Sequence, residues 1–442
     1  MGLRSLLARL ASDAPVPVFA LAGDHAVDRV RRLRSSGRLE LVDSPRAANV
    51  LLVAGTIREG LSAAAISAHD SLSHPRATVR WTVGAGSPAA PEPFAQAVLT
   101  TDEDPVDAIV RVHRELLTGA RPSEPPILPD VDPASWRGVG PYGQGGSGMT
   151  GGVPYGRPLA DRAKGRDGLT LDELPLRLGP FLSPLPPTLV LDVKLQGDVI
   201  TGVRVDEPRS AGDAPRRVAG GVPDPFMRAL RTPTSIVELE LARARSHLAW
   251  LSDALLAQGL EALARRAVRL AGHIGPNDAE AVRRFFRAVA RTGVLTWSTA
   301  GVGLVEAGEV AGSGAGPVAR ASGLGDDVRC EDPAYSSLGF EPIVHDKCDV
   351  ASRWRQRLAE AVQSLELSAR AGDLVATATG RVESPRGELR AGSHPSARLL
   401  ALLPRIVEGA EWGDAVAAIV SLDLDLDGVR GSVRDQLEER VG

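Results

Sequence analysis

Apolar and polar positions alternate on two periods through the first 118 residues. The runs VPVFALAG, LELVDS, ANVLLVAG and ATVRWTVG are rich in β-branched and aliphatic residues, while HAVDRVRRLR and a stretch near Ala63 to Leu72 carry apolar residues at helical spacing. That alternation predicts a parallel α/β sheet, closed by a helix near Val106 to Leu117. Residues 119–168 lose both periods and fill with Pro, Gly and Ser, as expected of a linker. Fully flexible, such a segment spans roughly 40 Å root-mean-square. Past it, TLVLDVKLQGDVITGVRV reads as a hairpin turning at Gln196-Gly197-Asp198. Long helical patterns follow in IVELELARARSHLAWLSDALLAQG, in NDAEAVRRFFRAVARTG with Asn277 as its cap, and in DVASRWRQRLAEAVQSLELSARAG with Asp349 as its cap. The expected organisation is an α/β domain at 1–118, a linker at 119–168 and an α+β, helix-rich domain at 169–442.

Composition narrows the function classes. Basic residues number 51 against 55 acidic ones, a net charge of −4, so no overall basic field attracts nucleic acid. The local cluster Arg29, Arg31, Arg32, Arg34 and Arg38 reads as a solvated helix face. Cys330 and Cys348 are the only cysteines, too few for a disulfide framework or an all-cysteine metal or iron–sulfur site. No run of about eighteen apolar residues marks a membrane span. The opening MGLRSLLARLA suits a short amphipathic helix that packs against the fold.

Candidate chemistry is sparse. Gly143-Gln144-Gly145-Gly146-Ser147-Gly148 spells a dinucleotide fingerprint, but that fingerprint needs a strand before it and a helix after it. Pro125, Pro126, Pro129 and Pro133 oppose the strand, and Gly151, Gly152, Pro154, Gly156 and Pro158 oppose the helix. The stretch therefore reads as linker rather than cofactor loop. The eight histidines form no ligand spacing, and Asp423 to Gly428 opens like a calcium loop but has Arg434 where the closing Glu belongs. No GxSxG elbow occurs, so no catalytic residue and no metal ligand is assigned.

Two segments carry a resemblance. SPRAANVLLVAGTIREG, Ser44 to Gly60, resembles the core of the small B-type subunit of respiratory complex I, itself related to the small subunit of nickel–iron hydrogenases. Farther on, LGPFLSPLPPTLVLDVKLQGDVI, LELARARSHLAWL, GPVARASG (Gly316 to Gly323), DDVRCEDPAYSS and ESPRGEL (Glu383 to Leu389) resemble, in order, the D-type, hydrogenase-large-subunit-like partner. The chain thus resembles a fusion of the two subunits that flank the quinone chamber.

What the resemblance implies is limited by what is missing. The four iron–sulfur cysteines of the B-type family belong near Ala22-Gly23-Asp24, after Gly84-Ala85-Gly86 and in a proline-flanked motif, and none is present. The two histidines of the D-type hairpin, one of which contacts the quinone headgroup, correspond to Leu182 and Pro186. No Tyr, His or Cys lies in DEPRSAGDAPRRVAGGVPDPFMRALRTPTS, where the family has its tyrosine or first nickel-binding cysteines. The resemblance implies Phe181, Leu182, Ser183, Arg320, Arg386 and Glu388 as residues lining a quinone-like pocket, with Arg and Glu equally able to hold the fold as a buried pair. It implies a peripheral subunit on the cytoplasmic face of the cell membrane, bound to antiporter-like, ion-translocating membrane subunits and carrying no redox cofactor of its own. The alternative it implies is the quinone-site subunit of an NADH:quinone oxidoreductase, using a cluster held elsewhere.

Overall fold

The computed structural model describes residues 14–23, 26–82, 94, 97–100, 104–130, 161–165, 168–206, 224–390 and 393–426. The glycine loop Gly143 to Gly148, the MGLRSLLARLA segment, Gly84 to Gly86 and the stretch from Asp427 to Arg434 lie outside the described residues.

Strands β1 (Val16–Ala22), β2 (Leu39–Leu41), β3 (Val50–Ala54), β4 (Ala77–Trp81) and β5 (Val98–Thr100) form one parallel sheet in the order β2-β1-β3-β4-β5. Helices α1 (Val27–Leu33) and α2 (Ser62–Asp70) make crossovers, and α3 (Val106–Thr118) follows β5 and packs on the sheet. Strand β3 is buried along its whole length, as a central strand covered on both faces must be. Val18 and Leu52 face Ile109 and Val112 of α3, while Phe19 and Leu51 face the layer of Leu61 and Ala65. The expected α/β domain is present.

The segment read as linker contributes to both its neighbours. Glu124 is buried on the first sheet, where its carboxylate accepts from the Thr78 amide (2.9 Å) and hydroxyl (2.7 Å) and lies 3.1 Å from His69 Nε2. Asp70 accepts from the amides of Ile127 and Leu128. At its other end, β6 (Asp161–Lys164) pairs with β7 (Thr170–Leu178). Prolines removed the periodic signal there, yet side-chain carboxylates supply the acceptors that a ladder would have given.

Strands β6, β7, β8 (Val190–Gln196) and β9 (Val199–Asp206) make an antiparallel meander, and β8 turns into β9 at Gly197, whose φ is +63°. Behind it lie α4 (Ile236–Ala257), α5 (Glu261–His273), α6 (Ala279–Arg291), the short α7 (Pro317–Ala321), α8 (Val350–Ala371), α9 (Ser396–Val407) and α10 (Trp412–Leu422). A short hairpin, β10 (Arg381–Ser384) and β11 (Gly387–Arg390), sits among them. Helices α4 and α8 run along each other through the core, with Trp250 and Trp354 edge to face at 5.8 Å. Asp349 caps α8 as expected, accepting from the Ser352 amide at 2.7 Å. Helix α6 departs from expectation: its cap residue is Asp278, not Asn277, and Asp278 Oδ2 accepts from the Gly275 amide instead of a helix amide.

The arginine-rich helix α1 is not a solvated face. Arg31 is 12% exposed and binds Asp253 of α4 through Nη2 (2.6 Å) and Nε (3.0 Å), and Arg34 Nη2 donates to Ser183 Oγ at 3.2 Å. Only Arg32 and Arg38 of the cluster are exposed. Burial opposes the charge of Arg31, but Asp253 and Asp28 raise its pKa above the ordinary arginine range. The partner 222 residues away was invisible to a local reading.

Candidate functional site

Two neighbouring helices bring polar residues into the core at helical spacing. On α4 these are Glu240, Arg243 and His247, and on α8 they are Arg353, Gln356, Arg357 and Glu360; all seven are at most 2% exposed. Residues from other elements complete the cluster: Arg320 of α7, Asp327 and Arg329 of the following turn, and Glu383 of β10. Charged groups so far from water persist only when paired, and most of these are.

Arg320 is the hub. Its Nε and Nη2 donate to the two Glu360 oxygens at 2.8 and 3.1 Å, and its Nη1 reaches Glu383 Oε1 at 2.8 Å and Asp327 Oδ2 at 3.0 Å. Arg329 grips Asp327 with Nε (3.0 Å) and Nη2 (2.7 Å), places Nη1 3.3 Å from both Glu240 oxygens and stacks on Phe340 at 4.2 Å. Glu240 also receives Arg243 Nε and the Tyr335 hydroxyl at 2.7 Å. Against the burial that would raise them, these cations hold Glu240, Asp327 and Glu360 below the usual carboxylate range.

Two members behave differently. Burial, reinforced by the neighbouring Asp327 carboxylate, pushes Glu383 up to about 7 despite Arg320. Burial also pushes His247 down to about 4; its Nε2 stands 3.4 Å from Glu360 Oε2, and neither ring nitrogen has a hydrogen bond. Arg353 is fully buried with neutral partners, the Ser421 hydroxyl at 2.8 Å and the Cys348 carbonyl at 2.6 Å, and its Nη2 has none. Arg357 binds Asp423 and the Pro385 carbonyl and lies over the Trp250 ring, with burial lowering its pKa.

The residues expected from the sequence fall in three places. Arg320 is at the centre of the cluster. Arg386 lies at its edge, donating to the Asp423 carbonyl (3.0 Å) and Oδ1 (3.1 Å), so that Arg386 and Arg357 share one carboxylate. Glu388 is outside it, paired with Arg381 at 2.7 Å on the hairpin; the buried glutamate of that motif is Glu383. Phe181, Leu182 and Ser183 lie at the junction of the domains instead. Phe181, at φ +66°, inserts its ring into the first domain's cluster of Phe19, Leu51 and Phe94, and Leu182 packs on the second domain. Sequence reasoning missed Glu240, Arg243, His247, Arg353, Arg357 and Glu360. Their signal was polar residues three or four apart on the apolar faces of two helices.

Among the described residues no group of three or more His, Cys, Asp or Glu is arranged to hold a metal ion, and no helix is long and apolar enough to cross a membrane. Cys348 is buried with its thiol against the Val318 carbonyl, and Cys330 is exposed; burial raises both thiols.

The cluster is drawn largely from a segment with known relatives. Residues 277–389 match the family described as respiratory-chain NADH dehydrogenase, 49 Kd subunit. The segment is similar to a complex I large subunit. The NADH-quinone oxidoreductase D 2 subunit of Salinispora arenicola (strain CNS-205) is 37% identical over 101 residues, 22% of this chain and 26% of that protein. The corresponding D 2 subunit of Rhizobium meliloti (strain 1021) is 34% identical over 89 residues, 20% of this chain and 22% of that protein. The chain thus spans about a quarter of the length of the curated relatives it matches. A chain of the archaeal membrane-bound sulfane sulfur reductase superposes with a TM-score of 0.40 at 18% identity, covering 58% of this chain and 98% of that one.

Proposed function

We propose that this chain is a peripheral subunit of a complex I-like membrane assembly, in which it has a structural or coupling role and carries no redox centre. The observation that carries the reading is the match of residues 277–389 to the 49 Kd subunit family, a segment that supplies Arg320, Asp327, Arg329, Glu360 and Glu383 to one buried ion-pair network. A network of that kind rigidifies the matched segment and gives it discrete electrostatic states, as a coupling element requires. In this reading the α/β domain at the N-terminus is a B-type relative joined to the D-type part, and the partners are antiporter-like membrane subunits on the cytoplasmic face. Affinity purification of the full chain from detergent-solubilised native membranes tests it. Recovery of stoichiometric membrane-embedded partners is the expected result, and recovery of the chain alone sinks the reading.

The alternative, a quinone-site subunit relying on another subunit's cluster, places the quinone headgroup at the turn from Phe181 to Pro187. In that turn the Phe181 amide donates to the Pro187 carbonyl at 2.8 Å, and the side chains of Phe181 and Ser183 are engaged with the first domain. A quinone there would have to displace them. The purified assembly decides between the readings: an iron–sulfur EPR signal with quinone-dependent NADH oxidation favours the alternative.

A further inference from the structure

Around Glu383 the carboxyls outnumber the guanidinium groups that contact them, Arg357 of α8 being bound to Asp423 although it also faces Glu360. Three guanidinium groups, Arg243, Arg320 and Arg329, face four carboxyl groups, Glu240, Asp327, Glu360 and Glu383, in a space where every one of them is at most 8% exposed. Three further titratable groups act on these carboxyls and add no charge: burial keeps His247 neutral, burial beside Glu240 raises the Tyr335 hydroxyl well above its ordinary range, and burial with Asp327 and Glu383 nearby raises the Cys330 thiol.

The contacts say which carboxyl is left over. Glu360 holds two nitrogens of Arg320 and the Gln356 amide at 2.6 Å. Asp327 has two nitrogens of Arg329, a share of Arg320 Nη1 and the Arg329 backbone amide. Glu240 has Arg243, Arg329 and Tyr335. For Glu383 the described residues supply one guanidinium contact, Arg320 Nη1 at 2.8 Å, and that nitrogen is shared with Asp327. Arg243 Nη2 and Arg357 Nη1, which come close to the same strand, donate to the backbone carbonyls of Glu383 and Pro385 and not to the Glu383 side chain. The cross-strand neighbour Glu388 adds no cation, being paired with Arg381, and Arg386 is committed to Asp423.

The geometry points to Glu383 as a proton-binding site: the network carries one proton on this side chain and releases it when the balance of charge around it changes. A buried carboxylate that shares its one guanidinium contact with a like charge, while Arg329 and Arg243 act on it only from farther off, is the one that protonates at least cost, and the position of Glu383 near 7 agrees with this. The step is a proton transfer alone. Glu383 as the carboxyl gives a proton to water and remains as the carboxylate, and the charge of the cluster falls by one. Movement of the turn carrying Asp327 away from β10 lowers the proton affinity of Glu383, so a displacement of one loop is converted into uptake or release of a proton. This inference concerns the chain by itself and stands or falls independently of its membrane partners.

Infrared spectroscopy of the full chain between pH 5 and 9 tests it, with Glu383→Gln and Glu388→Gln for comparison. The wild type is expected to show a protonated-carboxyl C=O band that disappears with a midpoint near neutrality. Glu383→Gln removes that band, and Glu388→Gln retains it. Absence of any such band in the wild type at pH 5 to 6 overturns the proposal without recourse to a variant, as does a titrating band that survives in folded Glu383→Gln. Asp327→Asn gives a second measurement: with the competing carboxylate gone, the midpoint moves to lower pH, and an unmoved midpoint counts against the assignment.

Discussion

At the scale of single residues, two buried groups make opposite demands on pH. His247 has a folded-state pKa of about 4 against an ordinary 6.5, so its contribution to stability is complete above 6.5 and is lost as pH falls towards 4. Glu383 is at about 7 against 4.5, so its contribution is complete below 4.5 and is lost as pH rises through 7. Between about 4.5 and 6.5 the two slopes, each about 1.4 kcal/mol per pH unit at full strength, offset one another. Denaturant unfolding of the wild type should therefore show a shallow profile there, rising only by what the lowered, buried His113 adds. Relative to it, Glu383→Gln should rise with pH over the window, His247→Leu should fall, and parallel profiles for all three would refute the account. Pair partners differ in the same network. Arg320→Ala leaves Glu360 and Glu383 without a guanidinium contact in the core and is expected to cost about 3 to 5 kcal/mol. Glu388→Ala, which breaks a half-exposed pair with Arg381, should cost about 1 kcal/mol or less. Equal losses for the two would contradict the placement of Glu383, and not Glu388, in the cluster.

At the scale of elements, the period of the apolar pattern carried most of the information. The strands Val16–Ala22 and Val50–Ala54, the Gly197 turn and the Asp349 cap were legible because each depends on residues within a few positions of one another. The ion-pair network was legible only at Arg320 and at the hairpin motif, since a glutamate such as Glu240 on an apolar helix face does not reveal that Arg329, 89 residues away, completes its pairing. Nor did the strand period separate Glu383 from Glu388, which stand opposite each other across β10 and β11. What positions that hairpin is a close backbone approach. A Cβ on Gly316 (φ +48°) would lie 2.4 Å from Gly387 Cα, and one on Gly387 (φ +131°) would lie 2.0 Å from the Gly314 carbonyl oxygen. Gly387→Ala must push β10 and β11 away from α7, taking Glu383 off Arg320. The expected cost is at least about 2 kcal/mol from strain and clash. A variant as stable as the wild type, measured by thermal or denaturant unfolding, would show that the approach is not needed.

At the scale of the whole molecule, residues that cross between the domains hold them together. Phe181 leaves the second domain through the turn that follows Gly179 and buries its ring among Phe19, Leu51 and Phe94, while Arg31 and Arg34 reach from α1 to Asp253 and Ser183. The arginines were expected as a solvated face, and that expectation failed because a surface between domains looks like an exposed one from inside its own segment. An aromatic ring buried to this depth contributes about 3 to 5 kcal/mol when truncated in a core, and the partly buried Arg31–Asp253 pair adds specificity of orientation. The contacts predict a single cooperative melting transition for the wild type. Phe181→Ala, and more so the double variant Phe181→Ala with Arg31→Ala, should separate it into two transitions in calorimetry, one for each domain. Replacing Gly140 to Pro158 by a Gly/Ser spacer of equal length should leave the single transition in place, because the clamp lies elsewhere. If the spacer splits the transition and Phe181→Ala does not, the domains are coupled through the connecting segment and the clamp is incidental.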